Sequence, residues 1–381
     1  MTSVLSVGSK ITLFVDSLES GGAQRQIVVL ANVLHQRGYK VSIVTYYPGN
    51  QLSTFIDSPE ITLHFIPRHS RFDLAFLARL VRHFRNSSPN CIISYLSTTN
   101  FWARVAGRMA GITHIITSER STSVFQNRIT ALRERLLAPL SSFIVTNSQL
   151  ARVNLLRLGI PREKLKVIYN GLDLNYFSRS SRETSAALRS SLGIVPEDFL
   201  ILLPGRISEE KNHLLLVGAA VRFSRTVAPI TVLFAGNEFY KDLKDRILAR
   251  IKDSGETSRF HFLGPRSDMP MLYSAADVVV LPSLWEGFPN VIVEAMACGT
   301  PVIASDVSDN ALIIQPGISG FVFPSNDEDL LLNALTAVFR MPPEERRQMI
   351  ARGIQRASDL CSLNRFGDKY VELIEKTNVH S

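Results

Sequence analysis

The fold is decided by one stretch, residues 277–306, which reads "DVVVLPSLWEGFPNVIVEAMACGTPVIASD". The apolar run 277–281 predicts a buried strand, and a second apolar run at 301–304 predicts another. Pro289 fits the first turn of a helix over 289–298, because the N–H that proline lacks would be unpaired there anyway. A strand, a helix and a strand in succession predict two parallel strands joined by a helical crossover.

The same alternation runs through the whole chain. Strands are predicted at 10–15, 40–45, 61–66, 91–95, 112–117, 142–146, 198–204, 229–235, 259–263, 277–281, 301–304 and 320–323. Helices are predicted between them at 22–37, 73–86, 99–110, 126–138, 148–158, 212–225, 239–253, 268–274, 289–298 and 327–340. This pattern predicts an α/β fold in which parallel sheets carry helices on both faces, as in Rossmann-like doubly wound domains.

The chain has 381 residues, 45% of them hydrophobic, which is too long for one ordinary core and suits two domains. The boundary is expected in "VIYNGLDLNYF", residues 167–177, where Asn-Gly is a strong turn signal. We therefore predict one domain over 1–173 and a second over 174–362. Residues 363–381 form a C-terminal helix that can cross back onto the first domain. Ligands of such sheets bind beyond the carboxyl ends of the strands, so we expect a site in the cleft between the domains.

The positive charge is concentrated in the first half of the chain. Residues 1–175 contain 20 Lys and Arg against 9 Asp and Glu, a net charge of +11, whereas the remainder has 22 against 25, a net charge of −3. Sixteen of the 20 cations are Arg, which binds phosphate well. The arginines concentrate in the amphipathic segments 72–86, 101–111 and 127–140. Either these helices bind an anionic surface, or they pack on the sheet with their arginines solvated.

The sequence contains no apolar stretch long enough for a transmembrane helix, and its N-terminus reads as a first strand and a glycine loop, not as a signal peptide. Cys91, Cys298 and Cys361 are far apart and are expected to be free thiols of a reducing cytoplasm, with a disulfide as the lesser alternative.

Two loops have the composition of phosphate-binding loops. Gly21 and Gly22 in "SLESGGAQRQ" would let the backbone approach a phosphate at the start of a helix, although the dinucleotide pattern GxGxxG is absent and a simple turn is the alternative. Arg206 and Lys211 in "LPGRISEEKNHLL" suit a diphosphate whose leaving oxygen gains charge, and a helix capped near Asn212 is expected to follow. A solvated charged loop is the alternative there.

Two glutamates frame the helix of the opening stretch. Glu286 is expected in the loop and Glu294 on the helix, one turn beyond Asn290. Their different settings argue against a symmetrical acid/base pair. Each carboxylate can accept hydrogen bonds from ligand hydroxyls, while the amides of Gly287 and Phe288 can address an anionic or polar ligand.

Taken in order, these loops resemble the large retaining glycosyltransferase family called group 1 or family 4, which has the GT-B fold. The resemblance covers nearly the whole chain. It includes the E-x7-E pair Glu286 and Glu294 and the pair Arg206 and Lys211. It also includes the segments "GGAQR", "TNS" at 146–148, "VIYNGLD" and "PGISGFVF".

The resemblance implies roles for these residues. Arg206 and Lys211 would hold the nucleotide diphosphate without a metal ion or cofactor. Glu286 would lie at the donor sugar, and Glu294 would bind the ribose. The other donor-binding positions implied are Gly21, Gly22, Gly287, Phe288, Pro289 and Asn290, with Glu119 as a further catalytic candidate.

The sequence departs from the family at several positions. Glu119 stands where many relatives have His, so it could orient a sugar hydroxyl or take a proton, while His114 is expected to be a packed residue inside its strand. Ser308 and Leu312 stand where relatives often have Gly and Glu. Asp327 and Asp329 form an Asp-x-Asp, which would suit a metal site but is better interpreted as a helix N-terminal cap.

The expected activity is hexosyl transfer, with retention, from a UDP- or GDP-sugar to a glycan or lipid-linked acceptor in cell-surface glycan assembly. The enzyme would be cytoplasmic or peripheral on the inner face of the cell membrane, its basic half against anionic lipid, and it would not bind nucleic acid. The alternatives are an epimerase or phosphorylase of the same fold and an inactive membrane-binding homologue.

Overall fold

The structure, a computed structural model, describes residues 6–19, 21–70, 73–120, 128–238 and 240–376. Parts of three predicted helices lie outside the described residues, namely 126–127, 239 and 377–381. The chain forms two compact units. One is Met1–Gly171 together with Leu363–Ser381, and the other is Leu172–Ser362.

The first unit is built on a seven-stranded parallel sheet. Its strands are β1 Lys10–Phe14, β2 Lys40–Thr45, β3 Thr62–Phe65, β4 Cys91–Tyr95, β5 Ile115–Glu119, β6 Phe143–Thr146 and β7 Leu165–Val167. Its helices are α1 Gly22–Gln36, α2 Leu74–Ser87, α3 Ser97–Met109, α4 Arg128–Leu137, α5 Gln149–Arg157 and, from the end of the chain, α14 Leu363–Glu375. The strand order is β3-β2-β1-β4-β5-β6-β7.

The second unit is built on a six-stranded parallel sheet. Its strands are β8 Phe199–Pro204, β9 Ile230–Ala235, β10 Phe260–Gly264, β11 Val278–Leu281, β12 Val302–Ser305 and β13 Phe321–Phe323. Its helices are α6 Arg182–Ser191, α7 His213–Thr226, α8 Lys241–Ser254, α9 Met269–Ala275, α10 Asn290–Ala297, α11 Asn310–Ile314, α12 Glu328–Arg340 and α13 Pro343–Cys361. The order β10-β9-β8-β11-β12-β13 repeats the scheme of the first unit. The predicted α/β class and parallel doubly wound sheets are confirmed.

Burial explains why the strands read as continuous apolar runs. Every residue of β8, β9 and β11 is buried, because helices cover both faces of the sheet. In each sheet the order of connection reverses at one point, between β1 and β4 and between β8 and β11. Loops diverge at such a point and leave room for a ligand at the carboxyl edge.

Some elements differ from the prediction. The Ser/Arg-rich stretch after the boundary contains α6, which begins where the Ser181 hydroxyl accepts a hydrogen bond from the Thr184 amide (3.2 Å). Three further elements, α11, α13 and β7, were not predicted, because α11 and β7 are only five and three residues long and α13 buries only a narrow stripe. Strand β5 begins at Ile115, so His114 precedes it rather than lying inside it.

Several local predictions can be compared with the structure. His114 is packed as expected: it is buried, its ring bonds to the Ser142 hydroxyl (3.1 Å) and the Leu373 carbonyl (3.0 Å), and burial lowers its pKa. The Asp327 carboxylate accepts a hydrogen bond from the Leu330 amide (2.9 Å), so the capping interpretation is confirmed. The three cysteines are buried free thiols, also as expected, and burial raises the pKa of Cys298 to about 12. Among the helices of the described residues, none has the length and apolar character needed to cross a bilayer.

Candidate active site

The loops that follow β8 and β11 meet at the carboxyl edge of the second sheet. Their strands are neighbours at the point where the order of connection reverses. The Leu284 amide donates a hydrogen bond to the Glu210 carbonyl (2.8 Å), which joins the two loops through their backbones. Beside this bond, Lys211 Nζ donates to Glu286 Oε1 at 2.5 Å. The sheet order thus brings together two charged residues that are 75 positions apart in the sequence.

The Lys211–Glu286 ion pair is largely buried. The two side chains are 13% and 10% exposed, so water screens their attraction weakly. The Ser283 hydroxyl donates to the same carboxylate oxygen, Oε1, at 2.7 Å. These two donors fix the carboxylate, and Oε2 has no hydrogen bond within the described part of the chain.

Arg206 belongs to the same loop but is differently placed. It donates from Nη2 to Glu210 Oε1 (2.9 Å), and its side chain is 55% exposed. The loop leaves β8 through Gly205, whose φ of 144° favours glycine. A Cβ on Gly236, at the end of β9, would lie 2.0 Å from the Gly205 carbonyl oxygen, so two backbones touch here and only glycine fits.

The loop between β11 and α10 is held by one serine at the end of β12 and one in the loop that follows β12. The Ser305 hydroxyl donates to the Ser283 carbonyl (2.5 Å), and the Ser308 hydroxyl donates to the Gly287 carbonyl (3.0 Å). Ser308 has a φ of 51°, which explains why glycine suits this position in the family that the sequence resembles. Phe288 and Pro289 are buried, and α10 begins at Asn290.

Glu294 has a separate setting. It lies on α10, one turn after Asn290, and its Oε2 accepts a hydrogen bond from the Tyr273 hydroxyl (2.8 Å). Glu286 lies in the loop and Glu294 on the helix, as expected. Each carboxylate therefore has its own partners, and the described residues show no hydrogen bond between the two.

Helix α7 begins where the sequence predicts it, with Asn212 at the N-cap position. Asn212 has a left-handed φ of 50°, however, and its side chain makes no capping hydrogen bond. Its side-chain amide instead donates to Asn326 Oδ1 (3.3 Å). The next residue, His213, is buried and neither ring nitrogen has a partner among the described residues. Burial, with the nearby Lys211 charge, lowers its pKa to about 4.

The first unit contains the other predicted positions. Gly21 and Gly22 begin α1 after β1, and the Gln24 side chain crosses this loop to Asp16 Oδ1 (2.9 Å). Glu119 is the buried last residue of β5. Because β4 lies between β1 and β5, these positions end strands about 10 Å apart at the same edge.

The sequence interpretation did not single out three residues of the second-unit site, namely Ser283, Tyr273 and Gly236. Gly236 had a signal, since "FAGN" follows an apolar strand just as "LPGR" does at β8. The other two had none, because their roles depend on which side chain the fold brings opposite them. In the described part of the chain, no group of three or more His, Cys, Asp or Glu is arranged to hold a metal ion.

Comparison with known proteins assigns the class. The family model of glycosyl transferases group 1 matches residues 185–356, and that of glycosyltransferase family 4 matches residues 20–176. The chain is therefore a glycosyltransferase, and it belongs to the group 1/family 4 type with the GT-B fold.

Individual relatives fit this assignment. The chain is 25% identical over 335 residues to the UDP-Gal:alpha-D-GlcNAc-diphosphoundecaprenol alpha-1,3-galactosyltransferase of Escherichia coli, covering 83% of this chain and 84% of the relative. It is 26% identical over 319 residues to the N-acetylgalactosamine-N,N'-diacetylbacillosaminyl-diphospho-undecaprenol 4-alpha-N-acetylgalactosaminyltransferase of Campylobacter jejuni, covering 79% and 82%. The crystal structure of Anabaena Alr3699/HepE in complex with UDP and glucose has a TM-score of 0.86 and 22% identity, covering 97% of this chain and all of that one.

Proposed function

We propose that this glycosyltransferase moves a hexosyl group from a UDP- or GDP-sugar to a glycan or lipid-linked acceptor, with retention of the anomeric configuration. The observation that carries the proposal is the Lys211–Glu286 pair at the switch point of the second sheet, with Arg206 in the same loop. A cation and a carboxylate fixed 2.5 Å apart can address the two halves of a sugar diphosphate, its phosphates and its hydroxyls.

Positive charge at this edge supports binding of the diphosphate. Arg206 and Lys211 would neutralise the phosphate oxygens and the charge that develops as the sugar leaves. The loop amides of Gly287, Phe288 and Asn290 and the buried Pro289 would shape the donor site. With two cations available, we propose that no metal ion or cofactor is required. Asp327 and Asp329 support this, since one caps α12 and the other pairs with Arg222 (2.6 Å).

The carboxylates suit the hydroxyl groups of the donor. Glu286 Oε2 would accept a hydrogen bond from the sugar, while Lys211 and Ser283 hold Oε1. Glu294 would bind the ribose hydroxyls. Gly21 and Gly22 would contact the phosphates, and Glu119 would orient a sugar hydroxyl or take a proton.

In the proposed reaction, the bond between the anomeric carbon and the phosphate oxygen breaks. The acceptor oxygen forms its bond to the anomeric carbon on the face that the diphosphate leaves, and the acceptor proton passes to the departing phosphate oxygen. Retention follows from this shared face. Arg206 and Lys211 act on the leaving group, so they lower the barrier only if they bind it more tightly as its charge grows.

The names of two relatives support a lipid-linked acceptor, and the charge of this chain supports a membrane location. The names of these two relatives include acceptors linked to diphosphoundecaprenol. The first half of this chain has a net charge of +11, as expected for a partner with phosphate groups. We therefore propose that the enzyme works on the inner face of the cell membrane, bound peripherally through this basic half.

The test is nucleotide affinity measured by calorimetry with the full chain. Arg206→Ala should weaken binding of UDP or GDP about tenfold or more, since a charge-assisted hydrogen bond to phosphate is lost. Arg352→Ala, an exposed arginine of α13, is the matched control and should change nothing. If the wild type binds neither nucleotide, or Arg206→Ala binds as tightly as the wild type, the proposal fails. Release of the nucleotide from UDP- and GDP-sugars then identifies the donor.

A further inference from the structure

Helix α4 of the first unit presents an apolar ridge to solvent. Ile129, Leu132 and Leu136 are 79%, 57% and 66% exposed. Their spacing of three and four residues places them on one side of the helix. Single exposed aliphatic residues are ordinary, but three on one side of a helix call for an explanation.

The opposite side of α4 is firmly anchored, so the exposed ridge is a fixed feature of the unit. Buried Glu134 pairs with Arg104 Nη1 (2.6 Å), and the same guanidinium donates from Nε to the Ser141 hydroxyl (2.8 Å). On the flank of the ridge, one turn after Ile129, Arg133 donates to the Ser97 hydroxyl (2.7 Å). These bonds fix the rotation of α4, and the ridge cannot turn inward without breaking a buried ion pair.

The surface around the ridge is basic. Arg135 is exposed beside Leu136, and a Cβ on Gly159 would lie 3.7 Å from its Nε, so this side chain reaches the end of α5. Helix α5 adds Leu150 and Val153, each 39% exposed, together with Arg152 and Arg157.

The exposed charged side chains of α4 and α5 are all positive. The only acidic residue in α4 and α5 is Glu134, which is buried against Arg104. None of Arg135, Arg152 and Arg157 takes part in an ion pair within the described ranges. An apolar ridge bordered by arginines and without exposed carboxylates is complementary to an anionic lipid surface.

We propose that α4 and the adjoining surface of α5 form the lipid-binding face of this enzyme. Ile129, Leu132 and Leu136 enter the boundary between head groups and acyl chains, and the arginines contact lipid phosphates. This inference rests on the proposed function and gives its membrane partner a location. Helix α4 follows β5, so it starts on the side of the carboxyl edge where Glu119 ends its strand.

The experiment is sedimentation of the full chain with sucrose-loaded vesicles, either of phosphatidylcholine alone or with about one third phosphatidylglycerol. The wild type should sediment with the anionic vesicles. The triple variant Ile129→Ser, Leu132→Ser and Leu136→Ser should have an affinity for these vesicles that is lower by about tenfold or more, because the inserted apolar area is lost. The matched control replaces three exposed aliphatic residues of the second unit, Val195→Ser, Leu248→Ser and Leu330→Ser, and should bind like the wild type.

A charge variant separates the two contributions. Arg135→Glu with Arg152→Glu should weaken binding to anionic vesicles and reduce its dependence on salt. Circular dichroism and UDP binding of each variant should match the wild type, because neither helix holds a proposed donor residue. These readouts also distinguish the two proposals.

Three results would overturn the inference. A wild type that binds UDP but not anionic vesicles would remove the lipid-binding face and leave the proposed function standing. Equal losses in the triple variant and its control would show that this face is not special. Self-association without vesicles, abolished by the triple variant, would assign the face to a second copy of the chain. Failure of the wild type to bind any nucleotide would instead count against the proposed function.

Discussion

The Lys211–Glu286 pair allows a quantitative prediction. At 2.5 Å and an effective dielectric constant of about 20, the attraction between the two charges is about 6–7 kcal/mol. Burial opposes it, because removing each ion from water costs several kcal/mol. The difference leaves a net coupling of about 1–3 kcal/mol, the range of a charge-assisted hydrogen bond.

We therefore expect Lys211→Met and Glu286→Gln each to lower the free energy of unfolding by about 2 kcal/mol, because each leaves a buried partner without its counter-charge. The double variant should lose less than the sum, by the coupling of about 1–3 kcal/mol. Urea unfolding measures this. Trp285 fluorescence reports on the second unit, and Trp102→Phe removes the only other tryptophan.

The same loop offers a matched control cycle, Arg206→Met with Glu210→Gln. This pair has the similar distance of 2.9 Å, but its side chains are 55% and 26% exposed. Water screens it, and its coupling should stay below about 1 kcal/mol. If the Lys211–Glu286 effects are additive, or couple no more strongly than the control, burial does not set the strength of this pair and the reasoning is refuted.

Three other outcomes are expected from urea unfolding. Arg104→Leu should cost the first unit about 3 kcal/mol, because the buried Glu134 keeps only the more distant Arg133 (3.8 Å) as a counter-charge among the described residues, and adding Glu134→Leu should restore much of the loss. A double variant as unstable as the single one would contradict this. Gly236→Ala should cost the second unit about 2 kcal/mol or more and weaken UDP binding, whereas Gly353→Ala, whose Cβ meets nothing closer than 3.7 Å, should cost far less. Burial lowers the pKa of His213 in the folded chain to about 4, below its ordinary 6.5, so the unfolded chain binds a proton more readily and stability should fall as the pH drops from 6.5 to 4. His213→Leu should reduce this pH dependence of the free energy of unfolding. An unchanged pH dependence would exclude His213 as its source.

The fold was predictable because buried parallel strands appear in the sequence as continuous apolar runs. Strands such as β8 and β11 are apolar throughout, so their positions can be read without an alignment. Helix α13 could not be read this way, because only Met349, Gly353, Ala357 and Cys361 of its 19 residues are buried and the remainder resembles a polar loop. The ends of strands were predicted less well, as the start of β5 shows. An apolar run indicates which residues are buried, but it does not indicate where the hydrogen bonding between strands begins.

The part of the candidate site that was predictable is the part that depends on the composition of its loops. Charged loops beyond strands β8 and β11 were identified from sequence, and the switch in strand order explains why they meet. Their partners were not predictable. Ser283 and Tyr273 matter only because the fold brings them to 2.7 and 2.8 Å from Glu286 and Glu294, and no local pattern encodes such a distance.

The two cations of the site should therefore act differently when a diphosphate binds. Both are paired with carboxylates in the structure, but the exposed Arg206–Glu210 pair is weak and the buried Lys211–Glu286 pair is strong. Phosphate oxygens can displace Glu210 at little cost, so Arg206 should turn to the ligand, while Lys211 should keep its bond to Glu286 and offer its remaining protons. It follows that Arg206→Ala lowers nucleotide affinity without changing stability, whereas Lys211→Met lowers both. Equal stability losses in the two variants would show that the pairs are energetically alike and that burial does not divide their roles.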